Sequence, residues 1–114
     1  YSAIPEYMRL SKAVLNVQPL FKNAPHDRIY NAIANGAVAV TDRVSGLSPV
    51  YEAERDYLEY NFVDLEEDFE RIKNVIFDNN VIENIRYSAY QKAMQNDTWI
   101  NRCEKIKKFV KNLH

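Results

Sequence analysis

Residues 14–42 read VLNVQPLFKNAPHDRIYNAIANGAVAVTD, and the fold turns on this stretch. Two valine-rich runs bracket a segment with helical spacing. The first, Ala13 to Val17, is closed by Gln18-Pro19 and is short and branched enough to be a strand. Residues 19–26 hold Pro19, Asn23 and Pro25 and read as a loop. A helix is expected from about Asp27 to Asn35, with Ile29, Ala32 and Ile33 on one face and Gly36 as its stop. The second run, Ala37-Val38-Ala39-Val40-Thr41, is apolar without alternation. That pattern predicts a strand covered on both faces, as in a parallel sheet.

Working outward, Pro5 opens a short helix over about residues 5–12 that carries Tyr7, Met8 and Leu10. Residues 42–50 contain Asp42, Ser45, Gly46, Ser48 and Pro49 and form a second loop. Tyr57 to Val63 is a weaker third strand. The remaining residues read as helices. Asp64 and Glu67 have the spacing of a capping box, and Phe69, Ile72, Val75 and Ile76 form the inner face behind it. Ile82, Ile85, Ala89 and Ala93 mark a second helix. Trp99, Cys103, Ile106, Val110 and Leu113 mark a third, whose stripe is expected to face the core, with Trp99 and Cys103 packed in it. The order predicts an α/β fold: a Rossmann-like parallel sheet, partly complete, with C-terminal helices. Three strands covered on both faces are few, so residues 1–114 read as a single domain with further strands upstream of Tyr1 in a longer protein.

Composition narrows the classes. With 114 residues there is room for one domain, and 8 Tyr, 5 Phe and 1 Trp exclude a disordered chain. A net charge of -1 argues against a nucleic-acid binder. Cys103 is the only cysteine, and with His26 and His114 as the only histidines no metal ligand set is expected. The longest charge-free run, residues 29–41, falls well short of the roughly 20 apolar residues of a membrane span. Glu6, Arg9 and Lys12 interrupt the start, which does not read as a signal peptide. A cytoplasmic location is the expectation.

In open α/β sheets ligands bind beyond the carboxyl ends of the strands, which singles out loops 18–27 and 42–50. The helix at Asp27 should present unpaired backbone N–H groups and a partial positive charge, suited to a phosphate. Arg28 adds a planar cation and His26 a titratable donor. The plainer alternatives are a solvated Arg28 and a His26 that serves the turn. The loop has no glycine, so no Gly-rich phosphate fingerprint is present. The acidic cluster Asp64, Glu66, Glu67, Asp68 and Glu70 is assigned to the helix dipole. Lys105, Lys107, Lys108 and Lys111 are assigned to a solvated face, with a peripheral membrane or phosphate contact as the alternative. No Ser-His-Asp or Cys-His arrangement can be argued from spacing.

The segment NAIANGAVAVTD at 31–42, followed by DTWINR at 97–102, resembles the donor-binding lobe of group 1 glycosyltransferases, in particular the spore-maturation-type glycosyltransferase-like branch. Asp97 stands where that family closes on a His-Thr-Trp…Arg segment. The resemblance runs from about Pro5 to Val110. It implies the second Rossmann-like lobe of the two-lobed GT-B architecture and transfer of a sugar from a nucleotide-sugar. It implies a diphosphate at the helix start; with His26 and Arg28 added from their position there, to neutralise the leaving diphosphate, the expected donor-binding set is Asn23, His26, Asp27, Arg28, Asn31, Thr41 and Asp42. The family's Glu-x7-Glu pair, the first Glu near the donor sugar and the second on the ribose, falls on Asn23 and Asn31. Both carboxylates are amides here. Asn31 can still hydrogen-bond a ribose diol, but neither amide can act as a base. No catalytic residue is assigned. The nucleotide-sugar is substrate, and no cofactor or metal is implied. The implied partner is the N-terminal lobe of the same chain, with the acceptor site on it, so this fragment alone is expected to be inactive. A non-catalytic binding module of the same fold is the alternative. A receiver-like module is disfavoured because Asn16-Val17-Gln18 carries no carboxylate at the end of the first strand.

Overall fold

The computed structural model describes residues 3–20, 22–47, 50–96 and 98–113. Tyr1, Ser48, Pro49, Asp97 and His114, on which parts of the sequence reading fall, lie outside the described residues. In chain order the elements are α1 (Ile4–Leu10), β1 (Ala13–Asn16), α2 (Asp27–Ala34), β2 (Val38–Asp42), β3 (Leu58–Tyr60), α3 (Leu65–Ile76), α4 (Asn79–Asn96) and α5 (Trp99–Asn112). The strands form one open, fully parallel sheet in the order β1-β2-β3. Asn16 lies opposite Thr41, and Asp42 opposite Tyr60, so the carboxyl ends of the three strands are level. This is the partly complete Rossmann-like sheet with C-terminal helices that the valine runs imply.

Every residue of β2 is buried, because helices cover both of its faces. Ala37 and Ala39 meet Ile29, Ala32 and Ile33 of α2 and Ala89 and Ala93 of α4 on one side. Val38 and Val40 meet Leu58, Ile72, Ile82 and Ile85 on the other. The small side chains Ala32 and Ala39 let α2 lie close on the sheet. Gly36 ends α2 with φ +81, its N–H bonded to the Ile33 carbonyl and the Ala37 N–H to that of Ala32, the double closure that a left-handed residue permits. The four positions Ile82, Ile85, Ala89 and Ala93 are all buried, as their spacing predicts.

Three expectations are corrected. Asp64 is the first-turn flank of α3 but makes no side-chain cap, and the capping box with Glu67 is absent. With ψ at 35° its backbone is not extended, so its carboxylate does not turn back onto the first N–H groups. Asn61 and Asp68 organise that entry instead: the Asn61 N–H donates to Asp68 Oδ2 at 2.7 Å, and the Val63 N–H donates to Asn61 Oδ1 at 2.9 Å. The same turn limits the third strand to Leu58–Tyr60. The largest correction concerns α5. Its stripe is amphipathic but faces solvent: Trp99 is 80% exposed, Cys103 is exposed, and the helix contains no buried residue. Helical spacing identifies an apolar face without saying what covers it.

Among the described residues, no helix is long and apolar enough to cross a membrane. None of their His, Cys, Asp and Glu side chains group as a metal site.

Candidate functional site

The carboxyl ends of the strands carry a buried polar network. Asn16 ends β1 and is 1% exposed. Its Nδ2 donates to Gln18 Oε1 at 2.9 Å and to Thr41 Oγ1 at 3.0 Å. Asp42, equally buried at the end of β2, accepts from the Gln18 N–H at 2.8 Å and from Lys22 Nζ. Tyr60, ending β3, donates its hydroxyl hydrogen to the Asn16 backbone carbonyl at 2.8 Å. Burial and the neighbouring Asp42 charge push the Tyr60 phenol above its ordinary pKa, so it remains a donor near neutral pH. Three strands separated in sequence are thus tied together at one rim. Among the described residues, no buried side-chain polar atom lacks a partner.

This network reaches the start of α2. Gln18 Oε1 also accepts from the His26 N–H at 2.9 Å, and Gln18 Nε2 donates to the Ala24 carbonyl at 3.0 Å. Arg28 Nη1 donates to Asn16 Oδ1 at 2.9 Å, which draws the guanidinium back over the end of β1. His26 is extended, as an N-cap should be, and its Nδ1 accepts from the Arg28 N–H at 3.0 Å. Asp27 Oδ1 lies 2.8 Å from that same nitrogen. The expectation of unpaired N–H groups at the helix start is therefore corrected. The Arg28 N–H is taken by the imidazole, and that of Ile29 by the His26 carbonyl.

The loops after β1 and β2 are sewn together. The Ser45 N–H donates to the Lys22 carbonyl at 2.8 Å. Gly46, at φ +94, lies against Pro25, where a Cβ would stand 3.2 Å from Cδ. Beyond this seam, over the ends of β2 and β3, a cleft of about 710 Å³ opens between the loop and α3. Lys22, Arg43 and Arg71 supply its cations; Asp42, Glu54, Glu59, Asp64 and Asp68 its carboxylates; Tyr60, Asn61 and Phe62 its far wall. Glu54, held at φ 69, pairs with Arg71, and Lys22 lies 5.3 Å from the centre of the Phe62 ring.

The residues singled out by sequence therefore separate into two groups. His26, Asp27 and Arg28 sit together at the rim, with Asn23 and Asn31 exposed nearby in the chain, on the loop and on α2. Thr41 and Asp42 are buried and form the floor beneath them. Sequence reasoning passed over Asn16, Gln18, Lys22 and Tyr60. The available signal was the pair of amides interrupting a valine run where the strand stops.

The sequence profile of a family described as glycosyl transferase-like matches residues 1–108. The chain belongs to that family. No curated protein and no solved structure gives a significant match. Membership ties this glycosyl transferase-like chain to sugar transfer in general terms. The cleft over the strand ends has the concavity and polar groups that a ligand requires; of the residues singled out by sequence Asp42 lines it, and His26, Asp27, Arg28 and Asn31 do not.

Proposed function

We propose that this chain is the nucleotide-sugar-binding lobe of a group 1 type glycosyltransferase, in the spore-maturation-type branch, and that it works with a further N-terminal lobe that carries the acceptor. The observation that carries the reading is the Arg28 guanidinium. Asn16 holds it at the rim through Nη1 alone, leaving its other N–H donors for phosphate oxygens beside the α2 start. His26 is about half exposed, so an incoming diphosphate can displace its imidazole from the Arg28 N–H and take the position at the helix end. Displaced, the imidazole stands beside Arg28 as a further hydrogen-bonding group for the phosphate. Asn31, one turn further along α2, serves the ribose hydroxyls, and Asn23 faces the sugar. Thr41 and Asp42 fix the floor. In transfer, Arg28 and His26 stabilise the charge that develops on the leaving diphosphate.

A second reading, a binding module without catalysis, is favoured by one observation: both Asn23 and Asn31 are amides where the resemblance implies carboxylates.

Titration of the chain with UDP- and GDP-sugars, followed through backbone amide shifts, tests the proposal. Shifts concentrated at residues 26–31, weakened roughly tenfold or more by Arg28→Ala, support it. No shift there at millimolar donor overturns it. Sugar transfer by the intact protein separates the catalytic reading from the binding one.

A further inference from the structure

We infer that α5 is a membrane-surface helix that docks on anionic lipid. The inference is independent of the nucleotide-sugar reading. At 100° per residue, Trp99, Cys103, Ile106, Phe109, Val110 and Leu113 fall within an arc of roughly 120°. All of them are exposed: Trp99 80%, Ile106 63%, Phe109 66%, Val110 48% and Leu113 66%, with Cys103 exposed as well. Lysines border this arc on both edges, Lys107 and Lys111 on one and Lys105 on the other, while Arg102 lies within it at the N-terminal end with its guanidinium over the Tyr30 and Trp99 rings. Such an arrangement lets an apolar face enter the acyl boundary while flanking cations remain among the headgroups.

The charge distribution points to the occupant. Trp99–Asn112 holds five basic residues and one acidic one, a charge of +4, against -1 for the whole chain. The rest of the chain therefore carries -5. An anionic surface attracts α5 and repels the remainder, which fixes an orientation. Pairing of α5 with α5 of a second copy would set lysine edges against lysine edges. The helix is also free to lie flat. Its N-terminus is fixed by the Thr98–Asn101 capping box and by the Arg102 guanidinium 5.5 Å from the Tyr30 ring centre, and the molecule is elongated, 53 Å by 28 Å by 28 Å.

Trp99 is the only tryptophan, so its fluorescence reports on α5 alone. The full chain is mixed with vesicles of phosphatidylcholine, with and without 30% phosphatidylglycerol, and flotation and Trp99 emission are recorded. Expected are a blue shift and co-flotation with the anionic vesicles only, reversed by high salt. Lys107→Glu/Lys111→Glu should weaken binding by tenfold or more, and Ile106→Asp/Val110→Asp should abolish it. Both variants alter exposed residues, and unchanged circular dichroism shows that the fold persists. Absence of binding to anionic vesicles overturns the inference. So does equal binding to neutral ones, or a dimer in which Trp99 emission is already blue-shifted and the Asp variants are monomeric, since α5 would then be covered by protein.

Discussion

Arg28 on α2 and Asn16 at the end of β1 are joined by a 2.9 Å hydrogen bond from Nη1 to Oδ1, so the residue proposed to meet phosphate is positioned by a buried amide. Asn16 has further duties: it donates to Gln18 and Thr41. Asn16→Ala removes all three contacts, so that Gln18 Oε1 and Thr41 Oγ1 each lose one donor in a buried site. We expect a loss of about 2–4 kcal/mol in urea unfolding, accompanied by weaker donor binding as Arg28 loses its tether. A loss below about 0.5 kcal/mol would show that the network contributes little.

Tyr60→Phe is a finer probe of the same rim. It deletes one hydroxyl, the donor to the Asn16 carbonyl, and keeps the ring contacts with Phe62 at 5.6 Å and Phe69 at 5.3 Å. The expected cost is about 1 kcal/mol, read from the denaturation midpoint at unchanged slope. A neutral result would mean that water replaces the phenol at that carbonyl.

The two glycines should respond differently to alanine. Both have positive φ, +81 at Gly36 and +94 at Gly46, and each substitution carries backbone strain of about 1 kcal/mol. At Gly36 the added methyl would meet only Arg86 Nη2, at an ordinary 3.7 Å. At Gly46 it would meet Pro25 Cδ at 3.2 Å, and a proline ring in a fixed loop cannot swing aside as a guanidinium can. Gly46→Ala should therefore lower the melting temperature more than Gly36→Ala, and it alone should shift the amides of residues 22–26. Equal shifts in melting temperature would refute the claim that the two loops bear on each other.

The sheet was legible because its signals are local. Two valine runs, a helical period between them and Gly36 at the junction identify a β-α-β unit without knowledge of its surroundings. The floor of the site was less legible because it is assembled across the chain: Asn16 and Thr41 bond over 25 residues of sequence, and no spacing rule joins them. The α2 start was found, but its closure was not. Whether a histidine before a helix caps the helix depends on its backbone and rotamer, which sequence does not fix. Asp64 shows the converse, a correct pattern with an unsuitable ψ. For α5 the period was read correctly and its environment was not, since an apolar stripe is the same whether it meets a core or a lipid surface.

Asp56 should make stability depend on pH in a defined window. It is fully buried before β3 and accepts from the Glu52 N–H at 2.8 Å, from Ser88 Oγ and from Lys92 Nζ. Burial by itself raises the carboxyl pKa, but the Lys92, Ser88 and Glu52 contacts together outweigh it, and the group lies below its ordinary value of 3.8. Because the folded pKa is depressed, the folded state releases this proton more readily than the unfolded one. The stabilisation is therefore complete above the unfolded value and is lost as pH falls through the folded one. Asp56→Asn removes the charge and leaves Lys92 without its partner, at a cost of about 2–4 kcal/mol near pH 7. The gap between parent and variant should hold steady down to about pH 5, then narrow below 3.8. Urea unfolding of both proteins across this range measures it. A gap that stays constant down to the lowest accessible pH would mean that the Asp56 charge contributes nothing to stability and that the carboxylate acts only as a neutral hydrogen-bond acceptor would.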